Sequence, residues 1–212
     1  MPNNDYGGFP KNPIEFLALG DSYTIGEAVS EIERWPMQLA HALRKRGWPV
    51  DNPHLIARTG WTTGELIAAI RKAGLKPGYH LVSLGIGVNN QYRGLSQDTY
   101  RNEFTRLLQM AVFLAAIDPR RVLVISIPDW GVTPFAAGWE REKIAAEIDI
   151  FNAINRQVTA DQGAQYLDIT PISRRAAMEA DLIAPDHLHP SGKMYAEWVR
   201  LALPNAIEAL NR

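Results

Sequence analysis

The stretch Phe16-Leu17-Ala18-Leu19-Gly20-Asp21-Ser22 joins an unbroken apolar run to a glycine and two small polar residues. An apolar run without polar alternation is typical of a strand that is covered on both faces, as in a parallel sheet between helices. Four further short runs, most of them continuously apolar, punctuate the chain. We therefore predict five strands: Glu15–Leu19, His54–Arg58, Leu81–Ile86, Arg121–Ile127 and Gln165–Ile169.

Helical patterns alternate with these strands. In the clearest one, Ile144, Ile148, Phe151, Ile154 and Val158 recur every three or four residues and would form one apolar face. Five helices are predicted: Pro36–Lys45, Gly64–Lys72, Thr99–Ala116, Glu140–Asp161 and Ser191–Asn211. Strand–helix alternation over the whole length predicts an α/β fold, with a parallel five-stranded sheet between helical layers.

Length and composition limit the class of protein. The 212 residues contain no repeat or linker, so we predict a single domain over residues 1–212, with a loosely ordered polar segment at residues 1–13. A formal charge of −1 without a basic block argues against nucleic-acid binding. The absence of cysteine excludes disulfides, thiolate metal sites and a cysteine nucleophile.

The chain shows no secretory signal pattern and no apolar window long enough for a transmembrane helix. We therefore expect no transmembrane segment and a cytoplasmic location, unless a leader has been removed. The sequence does not indicate the oligomeric state.

The residues suited to catalysis follow the carboxyl ends of the predicted strands. Gly20-Asp21-Ser22 follows the first strand, Gly60 follows the second, and Gly87-Val88-Asn89 follows the third. Beyond the fifth strand, Asp186 lies three residues before His189. Because ligands of open α/β sheets bind outside these strand ends, we expect all of these groups to share one rim.

A serine at a strand end, with an aspartate and a histidine on a later loop, suggests a Ser-His-Asp hydrolase. Ser22 would be the nucleophile, His189 the base and Asp186 the group that orients the imidazole. The chain order alone decides little, because this triad occurs on unrelated folds.

Four blocks of the sequence resemble the GDSL-type, or SGNH, hydrolase family. In family order they are Gly20-Asp21-Ser22-Tyr23, Gly60, Gly87-Val88-Asn89 and Asp186-His187-Leu188-His189. The resemblance implies a three-layer α/β/α fold of flavodoxin-like type, ester hydrolysis without a cofactor, and a small-molecule ester as the partner. It also implies the roles of the family's four named residues for Ser22, Gly60, Asn89 and His189.

One position departs from the family pattern. The third block usually reads Gly-x-Asn-Asp, whereas here Asn90 follows Asn89. The missing carboxylate is not one of the four catalytic groups, so we expect activity to persist and the local support of the Asn89 loop to differ.

The proposed chemistry also needs donors for an oxyanion. We expect these to be the backbone N–H groups of Ser22 and Gly60 and the side-chain amide of Asn89, because an amide carries neutral N–H donors. Aromatic residues on the rim loops, Trp61, Tyr92, Trp130 and Phe135, are candidates to line a substrate pocket, although ordinary packing under the loops is an equal alternative.

Other interpretations stay open at this point. Ser22 could merely cap a turn, Asp21 is interpreted as structural, and His187 as a loop residue. A lysophospholipase or acyl-thioesterase would use the same fold, and a non-catalytic flavodoxin-like binding domain would share its architecture. Metal hydrolysis is disfavoured, because no His-Glu-x-x-His motif occurs.

Overall fold

The structure, a computed structural model, describes residues 13–211. Residues 1–12, which make up most of the segment predicted to be loosely ordered, lie outside the described residues.

A five-stranded parallel sheet forms the centre of the fold, with the order β2-β1-β3-β4-β5. The strands are β1 (Phe16–Gly20), β2 (His54–Ala57), β3 (Leu81–Gly85), β4 (Val122–Ile125) and β5 (Gln165–Leu167). Gly20 pairs in register with Ala57 on one side and with Gly85 on the other. The three strands therefore end at the same level, and the segments that follow them leave the sheet at one edge.

The burial of the strands explains their apolar sequences. Every residue of β1 and β4 is buried, whereas β2 and β5, at the edges of the sheet, are partly exposed. Strands covered on both faces need apolar side chains at every position, so alternation is absent from the central ones.

Eight α-helices lie in the described part of the chain. They are α1 (Ser22–Ile25), α2 (Trp35–Arg44), α3 (Thr63–Ala73), α4 (Val88–Tyr92), α5 (Gln97–Leu114), α6 (Arg141–Asp161), α7 (Thr170–Arg174) and α8 (Gly192–Leu210). Helices α2 and α8 pack together on one side of the sheet, and α5 packs against both α3 and α6 on the other. The predicted three-layer α/β/α fold with a five-stranded parallel sheet is confirmed.

The five predicted helices correspond to α2, α3, α5, α6 and α8, with ends that differ by at most two residues. The sequence did not predict α1, α4 or α7, which have only four or five residues. A helix of about one turn is too short to show a 3.6-residue period, so its sequence resembles a loop.

The turn from β1 into α1 requires a glycine. A Cβ atom at Gly20 would lie 2.1 Å from Thr24 Oγ1 and 2.4 Å from the Gly85 carbonyl oxygen. Only a residue without a side chain lets α1 fold back this closely over the end of the sheet. This close approach places the first residue of α1, Ser22, directly above the carboxyl edge.

Candidate active site

Ser22 is held at the start of a short, capped helix. Asp21 is the N-cap residue of α1, and its Oδ1 accepts a hydrogen bond of 3.0 Å from the Tyr23 N–H. Since the first N–H groups of a helix have no acceptor within the helix, the Ser22 N–H is free to meet a ligand. The same helical turn thus presents the Ser22 hydroxyl and a backbone donor together.

The three predicted catalytic side chains form a continuous hydrogen-bonded chain. Ser22 Oγ lies 2.9 Å from His189 Nε2, and His189 Nδ1 lies 2.5 Å from Asp186 Oδ2. When Nδ1 carries the proton and donates it to Asp186, Nε2 is the acceptor for the Ser22 hydroxyl. The arrangement can remove a proton from Ser22 and hold the resulting imidazolium beside a carboxylate.

Asp186 is suited to remain ionised. Burial raises the pKa of its carboxyl and is the largest single influence, but hydrogen bonds from the His189 ring and from the backbone N–H groups of His189 and Leu188 outweigh it. The net effect holds the pKa of Asp186 below its ordinary value. Its Oδ1 accepts from the His189 N–H at 3.0 Å and from the Leu188 N–H at 3.1 Å, which leaves Oδ2 for the imidazole.

The pKa of Asp21 is shifted in the opposite direction. Asp21 is buried, and burial raises the pKa of its carboxyl to about 7, with the backbone N–H groups of Tyr23 and of Asp21 itself opposing the shift. The ring of Tyr23 packs against the imidazole of His189, with ring centroids 5.2 Å apart. Burial and the nearby Asp21 charge raise the pKa of Tyr23 above its ordinary range, so this hydroxyl stays protonated.

The two remaining oxyanion candidates belong to different segments. Gly60 lies in the turn between β2 and α3, and Asn89 lies in α4. One proton of the Asn89 amide is donated to the Trp61 carbonyl at 2.9 Å, which fixes the orientation of the group. An amide nitrogen carries two protons, so the second stays available for a substrate oxygen.

Glycine at position 60 is needed for its backbone conformation. Its φ is +85°, a region that favours glycine, whereas a Cβ atom there would meet nothing closer than Arg93 Nη2 at 3.6 Å. A side chain at position 60 is therefore disfavoured by backbone strain and not by a steric clash.

A pocket of about 160 Å³ opens beside the Ser22 hydroxyl. Its lining is Ser22, Tyr23, Val88, Asn89, Tyr92, Trp130, Phe135, Leu188 and His189. Three of the four aromatic residues proposed from the sequence are in this lining. The fourth, Trp61, is not, and its partly buried ring packs against the core while its carbonyl holds Asn89.

The pocket wall continues into an aromatic cluster centred on Trp130. The Trp130 ring is buried and makes edge contacts with Tyr92, Phe135 and Trp139, at centroid distances of 5.4, 6.1 and 5.4 Å. The three outer rings are 46%, 43% and 51% exposed. They form an apolar rim at the mouth of the pocket. The sequence analysis did not single out Trp139, although it ends the long loop that carries Trp130 and Phe135.

Comparison with known protein families gives a match over most of the chain. The GDSL-like Lipase/Acylhydrolase family matches residues 18–197, which includes every block discussed above. The chain belongs to this family. It is accordingly a serine esterase that acts on small-molecule esters.

Several solved structures share the fold of this GDSL-like hydrolase. TesA is 18% identical in sequence, with a TM-score of 0.72 over 92% of this chain and 99% of its own. The psychrotrophic esterase EstA from Pseudoalteromonas sp., inhibited by monoethylphosphonate, is 18% identical, with a TM-score of 0.67 over 93% and 99%. A variant of Axe2, an acetyl xylan esterase from Geobacillus stearothermophilus, is 18% identical, with a TM-score of 0.67 over 91% and 94%. No curated protein sequence matches the chain significantly.

No helix within residues 13–211 is both long and apolar enough to cross a membrane. The same residues hold no group of three or more acidic or histidine side chains suited to a metal ion.

Asn90, which departs from the family pattern, and its neighbour Gln91 make contacts that the sequence did not reveal. Asn90 is fully buried, and its amide pairs with Thr63 at the start of α3. The next residue, Gln91, accepts from the Trp130 indole N–H at 2.8 Å and donates to Glu147 of α6 at 2.8 Å. Asn90 and Gln91 directly follow Asn89 of the third block. This adjacency was the only feature of the sequence that could have pointed to their role.

The remaining histidines lie outside the hydrogen-bonded chain. His187 is exposed, with a φ of +65°, and its carbonyl accepts from the Phe135 N–H at 3.1 Å. His54 hydrogen-bonds to Tyr79, and His80 Nδ1 accepts from the Glu15 N–H. These contacts support local structure.

Proposed function

We propose that this esterase hydrolyses short-chain acyl or O-acetyl esters through an acyl-enzyme on Ser22, with His189 as the base and Asp186 as the orienting carboxylate. The observation that carries the proposal is the hydrogen-bonded chain from Ser22 Oγ through His189 to Asp186, with distances of 2.9 and 2.5 Å. A serine–histidine pair oriented by a third group is the arrangement that activates a hydroxyl nucleophile.

In the first half of the reaction, Ser22 Oγ attacks the ester carbonyl carbon while its proton moves to His189 Nε2. The carbonyl oxygen becomes an oxyanion, for which the Ser22 N–H, the Gly60 N–H and the Asn89 amide are the proposed donors. The carbon–oxygen bond to the alcohol then breaks, and His189 returns the proton to the departing alcohol oxygen. Asp186 stabilises the imidazolium between these two proton transfers.

In the second half, a water molecule replaces the alcohol. His189 takes a proton from the water as its oxygen attacks the acyl carbon, and the same donors meet the second oxyanion. When the bond to Ser22 Oγ breaks, His189 returns the proton to the serine and the carboxylic acid leaves. The complete reaction needs only the protein, the ester and water.

The size of the pocket favours a small acyl group. A closed cavity of about 150 Å³ holds a benzene molecule, or six carbon atoms. The pocket beside Ser22 measures about 160 Å³. A long acyl chain would extend past the pocket onto the exposed Tyr92 and Trp139 rings. Axe2, which shares this fold, is an acetyl xylan esterase, and this is consistent with a small acyl group.

The nucleophile is tested by turnover and by covalent labelling. We expect the wild-type protein to hydrolyse p-nitrophenyl acetate, and Ser22→Ala to lose that activity while keeping its melting temperature. A fluorophosphonate should modify Ser22 in the wild type and nothing in Ser22→Ala, in line with the inhibition of EstA by a phosphonate. Labelling at another residue, or full activity of Ser22→Ala, would overturn the assignment.

The acyl preference is tested with p-nitrophenyl esters of two to sixteen carbons. We expect kcat/KM to peak at six carbons or fewer. A peak at long chains would instead favour a lysophospholipase, and a preference for acyl thioesters over oxygen esters of equal length would favour a thioesterase. These two activities are the alternatives that the same fold and the aromatic rim would also serve.

A further inference from the structure

The two proposed oxyanion donors outside α1 depend on contacts between α4 and the start of α3. Gly60 precedes α3 and Asn89 lies in α4, so no local chain geometry fixes their separation. Side-chain contacts join the two segments instead. Asn89 donates to the Trp61 carbonyl at 2.9 Å, and Arg93 Nη2 donates to the Gly60 carbonyl at 2.5 Å.

Asn90 makes the most buried of these contacts. Its Oδ1 accepts from the Thr63 N–H at 3.0 Å, and its Nδ2 donates to Thr63 Oγ1 at 2.6 Å. Both residues are completely shielded from solvent. Arg93, by contrast, pairs with Glu65 at the surface, where each side chain is nearly half exposed, and exposed pairs of this kind contribute little. Asn90 is therefore the stronger link between the segments.

Glu103 determines the direction of the hydrogen bonds in this link. The Thr63 hydroxyl donates its only proton to Glu103 Oε2, from α5. It can therefore only accept from position 90, and the Asn90 amide supplies the required donor. Asn90 therefore donates to Thr63, and Thr63 in turn donates to Glu103.

We propose that Asn90 and Glu103 are a matched pair of positioning residues that act through Thr63 to hold Asn89 and Gly60 in place for the oxyanion. The proposal rests on the function proposed above for Asn89 and Gly60. It explains why this chain carries an amide where the family's third block usually carries a carboxylate. A carboxylate at position 90 and the carboxylate of Glu103 would lie on either side of the Thr63 hydroxyl. Both would be acceptors, and the hydroxyl has only one proton to donate.

The same reasoning predicts which change restores the link. If position 103 carries an amide, its N–H can donate to Thr63 Oγ1, and the hydroxyl proton is then free to point at position 90. Asn90→Asp should be damaging by itself and tolerated together with Glu103→Gln. Glu103→Gln alone should be mild, because the amide oxygen still accepts from Thr63.

The experiment measures kcat and KM for p-nitrophenyl acetate, with melting temperatures, for the two single variants and the double variant. We expect Asn90→Asp to lower kcat by roughly 10- to 100-fold with KM changed by less than about threefold, the size of effect that a small displacement of catalytic groups produces. Glu103→Gln should stay within about threefold of wild type, and the double variant should recover at least about tenfold over Asn90→Asp. Asn102→Asp is the matched control, because it adds the same charge beside Glu103 on the exposed face of α5.

A second pair of variants covers the case in which Asn90→Asp does not fold. Thr63→Val keeps the shape and the backbone N–H but removes the hydroxyl, and it should lower kcat more than KM. Thr63→Ser should restore most of the lost kcat. A double variant no better than Asn90→Asp, or a Thr63→Val enzyme with wild-type kcat, would overturn the pairing. Failure of the proposed function is a separate result, because Ser22→Ala would then keep its activity in the same assay.

Discussion

The two sides of the proposed active site are built in different ways. On the proton-transfer side, Asp186, Leu188 and His189 lie within four consecutive residues, and Asp186 binds both backbone N–H groups and the imidazole. On the oxyanion side, Gly60 and Asn89 lie in separate segments that are joined by buried and partly buried side-chain contacts. The first side needs only a short loop with the right sequence, whereas the second needs several elements to pack correctly.

This difference has a consequence for substitutions. Changes on the proton-transfer side should act directly on the chemistry and leave the rest of the site intact. Changes on the oxyanion side should spread through the contacts between α3, α4 and α5. The following predictions test this contrast, beginning with the largest expected effect.

Loss of the base should have the largest effect. His189→Ala is expected to lower kcat by about 10⁴- to 10⁶-fold, because the serine then has no proton acceptor. Asp186→Asn should cost about 10⁴-fold, since the amide no longer stabilises the tautomer and the imidazolium. Steady-state kinetics on acetyl esters measure both. Leu188→Ala, in the same loop, is the control, and a comparable loss of kcat there would mean that the loop as a whole, rather than its two polar groups, is responsible.

Loss of one oxyanion donor should be smaller. Asn89→Ala is expected to lower kcat by about 10²- to 10³-fold with KM little changed, because the donor acts on charge that develops in the transition state. Asn89→Asp should be at least as damaging, since a carboxylate would repel the oxyanion. If Asn89→Ala raises KM but leaves kcat unchanged, Asn89 is not an oxyanion donor.

The helix cap beneath the nucleophile should make stability depend on pH. The folded-state pKa of Asp21, about 7, lies above its ordinary value of 3.8. Between these pH values the unfolded chain has released the proton while the folded protein retains it, so the contribution of Asp21 to stability falls as pH rises. Asn also caps helices but does not titrate. The free energy of unfolding of Asp21→Asn relative to wild type should therefore rise by about 1 to 4 kcal/mol between pH 4 and pH 7.

Urea unfolding of wild type and Asp21→Asn across this pH range measures the difference. Asp118→Asn provides a flat control, because the Arg120 side chain lowers the pKa of Asp118 below its ordinary value of 3.8. The stability that Asp118 contributes is lost only below about pH 4, so the difference between wild type and Asp118→Asn should stay constant across this range. A difference between wild type and Asp21→Asn that stays constant from pH 4 to 8 would show that Asp21 is ionised throughout.

The smallest effect is expected at the pocket wall. Gln91→Leu removes the acceptor of the Trp130 indole N–H and leaves that buried donor without its partner. We expect Trp130 to shift and the preference among two- to eight-carbon acyl chains to change by about threefold to tenfold in kcat/KM, which corresponds to roughly 1 kcal/mol. The control is Gln157→Leu, which removes a surface amide from α6, and it should keep the wild-type profile. Identical chain-length profiles for wild type and Gln91→Leu would contradict this role.

Periodicity allowed most of the fold to be predicted from the sequence. The continuous apolar run at residues 16–19 and the stripe through Ile144 and Ile148 identified a central strand and a long helix, with ends correct to within about one residue. The helix α1 that carries Ser22 was not predicted, because its four residues are too few to show a period. The aromatic residues of the rim could be named from their loops, but Trp61, although it neighbours Gly60, turned out to pack against the core.

The sequence by itself determined the sheet, its covering helices and the compact loop of Asp186 and His189, because each depends on residues that are close along the chain. Only the tertiary structure brought Ser22 within 2.9 Å of a histidine 167 residues away. It alone also revealed that Asn90 donates to a hydroxyl already committed to Glu103. The direction of a hydrogen bond depends on what its partner binds, and that partner is chosen by packing between distant segments rather than by spacing along the chain.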